Sequence, residues 1–128
     1  MEVLKIERAE KKEELEELRR AGLKWGILTC LCEALDKEGC KISSEAFRNL
    51  HVARSIIETG CSRVADAEEL LEKTKKILLA TIKTSGSGCW KEYLEKADRG
   101  EITSEEEVEK IPFMKQVVKK YEFLSYCL

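Results

Sequence analysis

The pattern of apolar and polar positions has its strongest feature at Leu23–Asp36, LKWGILTCLCEALD. At about 100° per residue, the helical period, Leu23, Trp25, Ile27, Leu28, Leu31, Cys32, Ala34 and Leu35 cover well over half of the wheel. The polar side is a narrow strip of Thr29, Glu33, Asp36 and Lys37. Lys24, the only charge within the apolar arc, sits at its edge, where the stem can lie on apolar surface while the ammonium reaches water. A helix apolar nearly all round is buried, so this stretch is expected to be a central helix with others packed on at least two sides.

Residues 2–20 form helix readily and alternate in charge, with Glu7–Lys11 and Glu16–Arg20 as well-oriented i,i+4 pairs. Their apolar residues are sparse, Leu4, Leu15 and Leu18 with Val3 and Ile6 near the start, and Leu15 and Leu18 would point along the polar strip if the helix ran on unbroken. The pattern therefore favours a turn around Ala21–Gly26, where two glycines weaken a helix interior. The alternative is one long helix, in which Leu4, Leu15, Leu18 and Gly22 make a seam for a partner chain.

Further along, Gly39 reads as the stop of the central helix. Ser43 reads as an N-cap, and Ile42 and Phe47 have the spacing of a hydrophobic staple, opening a helix over about 44–59. Asp66 and Glu69 suggest a capping box for a helix over about 67–84. A short helix over about 89–98 follows the Ser85–Gly88 stretch. Thr103 and Ser104 open a last segment that Pro112 should kink or restart. Met114, Val117, Val118, Tyr121, Leu124 and Leu128 then give an apolar stripe. No strand pattern or repeat occurs. The expected fold is all-α, an irregular up-and-down bundle of five or six helices around a central buried helix at about 23–38, in a single helical domain spanning 1–128.

Composition narrows the function classes. The 128 residues carry 23 basic and 25 acidic side chains, a net charge of −2, which argues against a nucleic-acid partner. The charged N-terminus is unlike a signal peptide, and no apolar run is long enough for a membrane span, so a cytoplasmic protein with no membrane partner is expected. One Asn and one Gln among many Glu and Lys give a thermophile-like composition. The six cysteines include no C-x-x-C pair, which argues against structural zinc. In an up-and-down bundle Cys40, Cys89 and Cys127 fall at one end, where two of them can form a disulfide. His51, the single histidine, reads as a boundary residue of its helix and not as a catalytic base.

One constellation carries a mechanism. Glu13-Glu14-Leu15-Glu16-Glu17 contains E-E-x-x-E, and Glu33-Ala34-Leu35-Asp36 contains E-x-x-D. This resembles the paired acidic motifs of the MazG-like all-α nucleotide pyrophosphohydrolases. The resemblance implies Mg²⁺ held by carboxylates on two neighbouring helices, here Glu13, Glu17, Glu33 and Asp36, and activation of water at the nucleotide's phosphates. Convergence of the two motifs requires the turn at Ala21–Gly26. Against that enzyme stands the preferred expectation: a small non-catalytic helical binding or scaffolding protein, without a cofactor, that self-associates or binds a protein partner.

Overall fold

The computed structural model describes the backbone of residues 2–59, 63–82 and 87–127, and the side chains of 15–59, 63–82 and 89–125. Its described elements are all helical: α1 (Glu2–Lys37), α2 (Ser44–Glu58), α3 (Val64–Thr81), α4 (Ser87–Asp98), α5 (Glu105–Glu109), α6 (Met114–Lys120) and α7 (Leu124–Cys127). They form an irregular bundle around α1, against which α2, α3, α4, α6 and α7 all pack. The expected central helix is there. Ile27, Leu28, Cys30 and Leu31 are wholly buried, and Leu23, Trp25, Cys32 and Leu35 nearly so.

The expected turn at Ala21–Gly26 is absent. Residues 2–37 make one helix of 36 residues, about 54 Å long at 1.5 Å per residue. Gly22 and Gly26 are both buried within it. A Cβ on Gly26 would meet Leu124 and the Met114 methyl at 3.6 Å, an ordinary contact. Tertiary packing on both sides of the glycines outweighs their helix penalty, which is only about 1 kcal/mol each.

The downstream boundaries follow from local chemistry. α1 ends in a Schellman motif: Gly39 takes φ 76°, its N–H donates to Asp36 O at 3.0 Å, and the Cys40 N–H donates to Leu35 O at 2.9 Å. Ser43 caps α2 by accepting from the Glu45 N–H at 3.2 Å, and Ser104 caps α5 by accepting from the Glu107 N–H at 3.3 Å. The expected capping box at Asp66 is displaced. α3 starts earlier, at Val64, so Asp66 lies in its first turn and receives the Arg63 Nε at 2.8 Å. Pro112 does separate two helices, and Phe113 takes φ 68° as the residue leading into α6. Merging the first two expected helices and dividing the last accounts for the difference between the expected and observed element lists.

Trp25 fastens α1 to two neighbours. Its indole N–H donates to Leu50 O of α2 at 2.7 Å. Its ring meets Tyr121 edge-on at 4.8 Å and Phe123 at 5.2 Å, between α6 and α7. Ile111, Met114, Val117 and Leu124 complete the core on that side. The apolar C-terminal stripe is thus docked as far as the described side chains reach.

Candidate functional site

The unbroken α1 decides where the four expected metal-binding carboxylates go. Glu17 and Glu33 stand sixteen positions apart on one helix, about 24 Å along its axis. The Glu13 side chain lies outside the described residues. Glu17 is exposed and close enough to raise the carboxyl pKa of Glu68 at the start of α3. Glu33 is half-buried and Asp36 exposed at the other end of α1. Within one chain the two acidic motifs do not share a site. Among the described residues no three His, Cys, Asp or Glu side chains are grouped to hold a metal ion. Glu17 and Glu33 of one chain are too far apart along α1 to ligate the same ion.

The polar strip of α1 does line a cleft, though with other partners. Thr29, Cys32 and Glu33 form its floor with Trp25. Phe47, Leu50, His51 and Arg54 of α2 form one wall, and Lys120 and Tyr121 at the end of α6 the other. The cleft has a volume of about 280 Å³. The Arg54 guanidinium lies over the Tyr121 ring with Cζ 5.3 Å from its centroid, and Lys120 Nζ lies 5.6 Å from it. Two residues of this cleft also carry a buried polar atom without a hydrogen-bond partner, Thr29 Oγ1 and Arg54 Nε, the latter 3.7 Å from Glu58 Oε1. In native structures such atoms are rare.

Thr29 is unusual beside the described threonines within helices or capping one. The hydroxyls of Thr59, Thr74 and Thr81 each donate to the carbonyl four residues back, at 3.0, 2.7 and 2.9 Å. Such a bond satisfies a buried hydroxyl within its own helix. Thr29 makes no such bond. Phe47 carries a second anomaly. It stands at the staple position of α2, yet its side chain remains 53% exposed at the cleft.

On the opposite face of α1, Lys24 departs from expectation. Its side chain is only 9% exposed. It is buried against Glu72 of α3 and Asp98 of α4, with Asp98 Oδ1 at 2.8 Å. Lys75 also reaches Asp98, at 3.4 Å. Burial pulls the Lys24 pKa down, but its hydrogen bonds to Asp98 and Glu72 outweigh that and raise it. Every charge in this cluster has an opposite neighbour, so it ties α1, α3 and α4 together and presents no free group for chemistry.

The remaining candidates resolve simply. Cys30, Cys32, Cys40 and Cys89 are free thiols, so none of the three cysteines expected at one end is bridged to another of them. Burial, with help from Glu33, pushes the Cys30 and Cys32 thiols up to about 12, far from the range of reactive cysteines. His51 is exposed at the edge of its helix, as expected, and lines the cleft. Ser85 and Gly86 lie outside the described residues, while Ser87 and Gly88 belong to α4.

Sequence reasoning missed Arg54, Lys120 and Tyr121 as partners of the polar strip. A partial signal existed, since Phe47, Leu50 or His51, and Arg54 recur at helical spacing along one side of α2. Nothing local connects them to residues 120–121, which only the tertiary fold delivers. Among the described helices none is long and apolar enough to cross a membrane. No protein-family model, curated protein or solved structure matches this chain.

Proposed function

We propose that this chain is a small non-catalytic helical binding or scaffolding protein that associates with a second copy of itself through the amino-terminal half of α1. The observation that supports this reading is the length of α1. The longest other helix, α3, has 18 residues against its 36. Continuous burial of α1 begins at Ala21, whereas Leu15, Glu16, Glu17, Arg19 and Arg20 are exposed. Leu15 is 57% exposed, more than any other large apolar side chain described.

The structure shortens the seam expected from the sequence. Gly22 is buried inside the bundle and Leu18 packs partly on its core. The Leu4 side chain lies outside the described residues. Leu15 is then the apolar residue of that seam described as open to a partner. Charge favours an antiparallel pairing. Residues 13–17 bring four glutamates around Leu15, while residues 5–12 bring four basic side chains against two acidic ones. Running the two helices in opposite directions sets each acidic block against the partner's basic block, the complementarity that fixes orientation in paired helices.

Sedimentation equilibrium over a wide concentration range tests the reading. A dimer is expected, weakened by added salt because exposed charge pairs are screened. Leu15→Glu should shift the protein towards monomer without lowering its helix content. A strict monomer at high concentration, for the unaltered chain, removes the proposal. In the same samples, a melting temperature insensitive to Mg²⁺ would count against the alternative expectation of a Mg²⁺-dependent nucleotide hydrolase.

A further inference from the structure

A second cleft opens where α1 enters the bundle. Arg20, Ala21 and Lys24 of α1 line it, with Glu68 and Glu72 of α3 and Asp98 of α4. Resting on the antiparallel association above, we propose that the associating face of α1 continues onto the start of α3. There the opening turns of a second copy's α1 seat beside Glu17 and Glu68, and protonation of Glu68 loosens the pair.

Helix register carries the first part. Lys24 pairs with Glu72, and one turn earlier on each helix Arg20 and Glu68 line the same cleft. The two helices therefore run side by side in one direction. The same offset sets Val64, the first residue of α3, level with Glu16. Residues of α1 before Glu16 run on past the end of α3, about 1.5 Å for each residue. A partner helix laid on that overhang meets the end of the bundle at the layer of Glu17, Arg20 and Glu68.

Charge fixes how far the partner reaches. The glutamates around Leu15 are set opposite the middle of the partner's basic block at 5–12. That register brings the partner's Lys5 level with Leu18 and Arg19, within a turn of Glu17 and at the layer of Glu68. The positive end of the partner's helix arrives with it. The partner's Glu2 comes level with Ala21 and Gly22, beside Arg20.

Glu68 is the group that responds. Among the described residues it forms no ion pair or hydrogen bond. Lys24 is taken by Glu72 and Asp98, and Lys75 by Asp98. Facing Glu68 are Glu17, Arg20 and Lys24 of α1, Glu72 on its own helix and Asp98 of α4, while α2 brings no side chain to the cleft. Partial burial and Glu17 raise the Glu68 carboxyl pKa in the single chain. A cation from a partner lowers it again, so association releases protons from Glu68. Association is then at full strength above the raised value and weakens as pH falls through it.

Sedimentation equilibrium at pH 7 and at about pH 5.5, still above the ordinary glutamate range, tests this on the unaltered protein and on Glu68→Gln. The dissociation constant of the unaltered dimer is expected to rise about threefold between the two, because each dimer holds two such carboxyls. Glu68→Gln should weaken the dimer about three- to tenfold at pH 7 and lose most of that pH response. The same substitution removes a carboxylate that the single chain leaves without a partner, so melting at concentrations where the chain is single should move up. Weaker association with a firmer fold is a combination that general damage to α3 does not give. Lys5→Glu should weaken the dimer, and Lys5→Glu together with Glu68→Lys should recover it. Equal affinity and equal pH response in Glu68→Gln would overturn the proposal, and so would failure of the paired reversal to recover affinity. Both results leave the association through α1 standing. That association is removed only by an unaltered chain that stays monomeric at pH 7.

Discussion

Lys24 Nζ lies 2.8 Å from Asp98 Oδ1, joining the middle of α1 to the end of α4, and the same ammonium meets Glu72 of α3. Lys24→Met keeps the apolar stem and removes the charge. The two carboxylates are partly open to water, with 46% and 36% of their side-chain surface exposed, and can be rehydrated. The loss at neutral pH should therefore be about 1–3 kcal/mol, below that for breaking a fully buried pair. The sign of the alkaline limb follows from the raised pKa of Lys24. Its contribution is fully present below the ordinary lysine value and is lost as pH rises through the higher folded-state value. Urea unfolding of both proteins should show the difference shrinking on the alkaline side of 10.5, the ordinary value.

Glu68 behaves in the opposite sense. Partial burial and the neighbouring Glu17 push its carboxyl pKa up, more than Lys24 and Arg20 pull it down. A carboxyl raised in the folded state favours folding only when protonated, so stability falls as pH rises from the ordinary value of 4.5 through the raised one. Glu68→Gln should melt at a higher temperature than the unaltered protein at neutral pH. The two melting curves should coincide below that ordinary value. A variant that is less stable at neutral pH would show that Glu68 is held mainly by Lys24 and Arg20.

Two glycines should respond to alanine with opposite signs. Gly26 sits inside α1 with room for a methyl group, so Gly26→Ala should stabilise by about 0.5–1 kcal/mol through helix propensity. Gly39 takes φ 76° with nothing within 4 Å of the added Cβ. Gly39→Ala should destabilise by about 1 kcal/mol, entirely from the left-handed backbone conformation. Denaturant midpoints for the pair check both signs, with unchanged slopes confirming that only stability has moved.

Thiol accessibility separates the described cysteines. Cys89 is exposed and Cys40 half-buried, while Cys30 and Cys32 are enclosed in the core. Alkylation of the native protein followed by peptide mass mapping should modify Cys89 first and Cys40 next. Cys30 and Cys32 should react only after unfolding. Their early modification would mean that α1 opens locally on the timescale of labelling.

The parts of the fold that were legible in the sequence depend on neighbours in the chain. Leu23–Leu35 announces its burial through its own periodicity, and Gly39, Ser43 and Ser104 mark boundaries through caps that span only a few residues. The break expected at Ala21–Gly26 weighed two helix-weakening glycines against packing that comes from Met114 and Leu124, nearly a hundred residues away. The candidate site was half legible for the same reason. Thr29 and Glu33 stood out as the polar strip of an otherwise apolar helix, but their companions Lys120 and Tyr121 are set by the docking of α6. The acidic pairing depended on that one expected turn, and an unbroken α1 holds Glu17 and Glu33 sixteen positions apart instead.

The place of α1 in the order of synthesis has a consequence for the nascent chain. The helix that every major neighbour packs against is made before all of them, while Leu124, part of its last wall, follows the end of α1 by 87 residues. At about 5–20 residues per second, roughly 4–17 s separate the completion of α1 from the arrival of that wall. During that interval a helix apolar on most of its circumference waits partly uncovered. The interval sets a demand for chaperone holding that the finished bundle no longer displays, and slowing translation after Lys37 should increase aggregation of this protein.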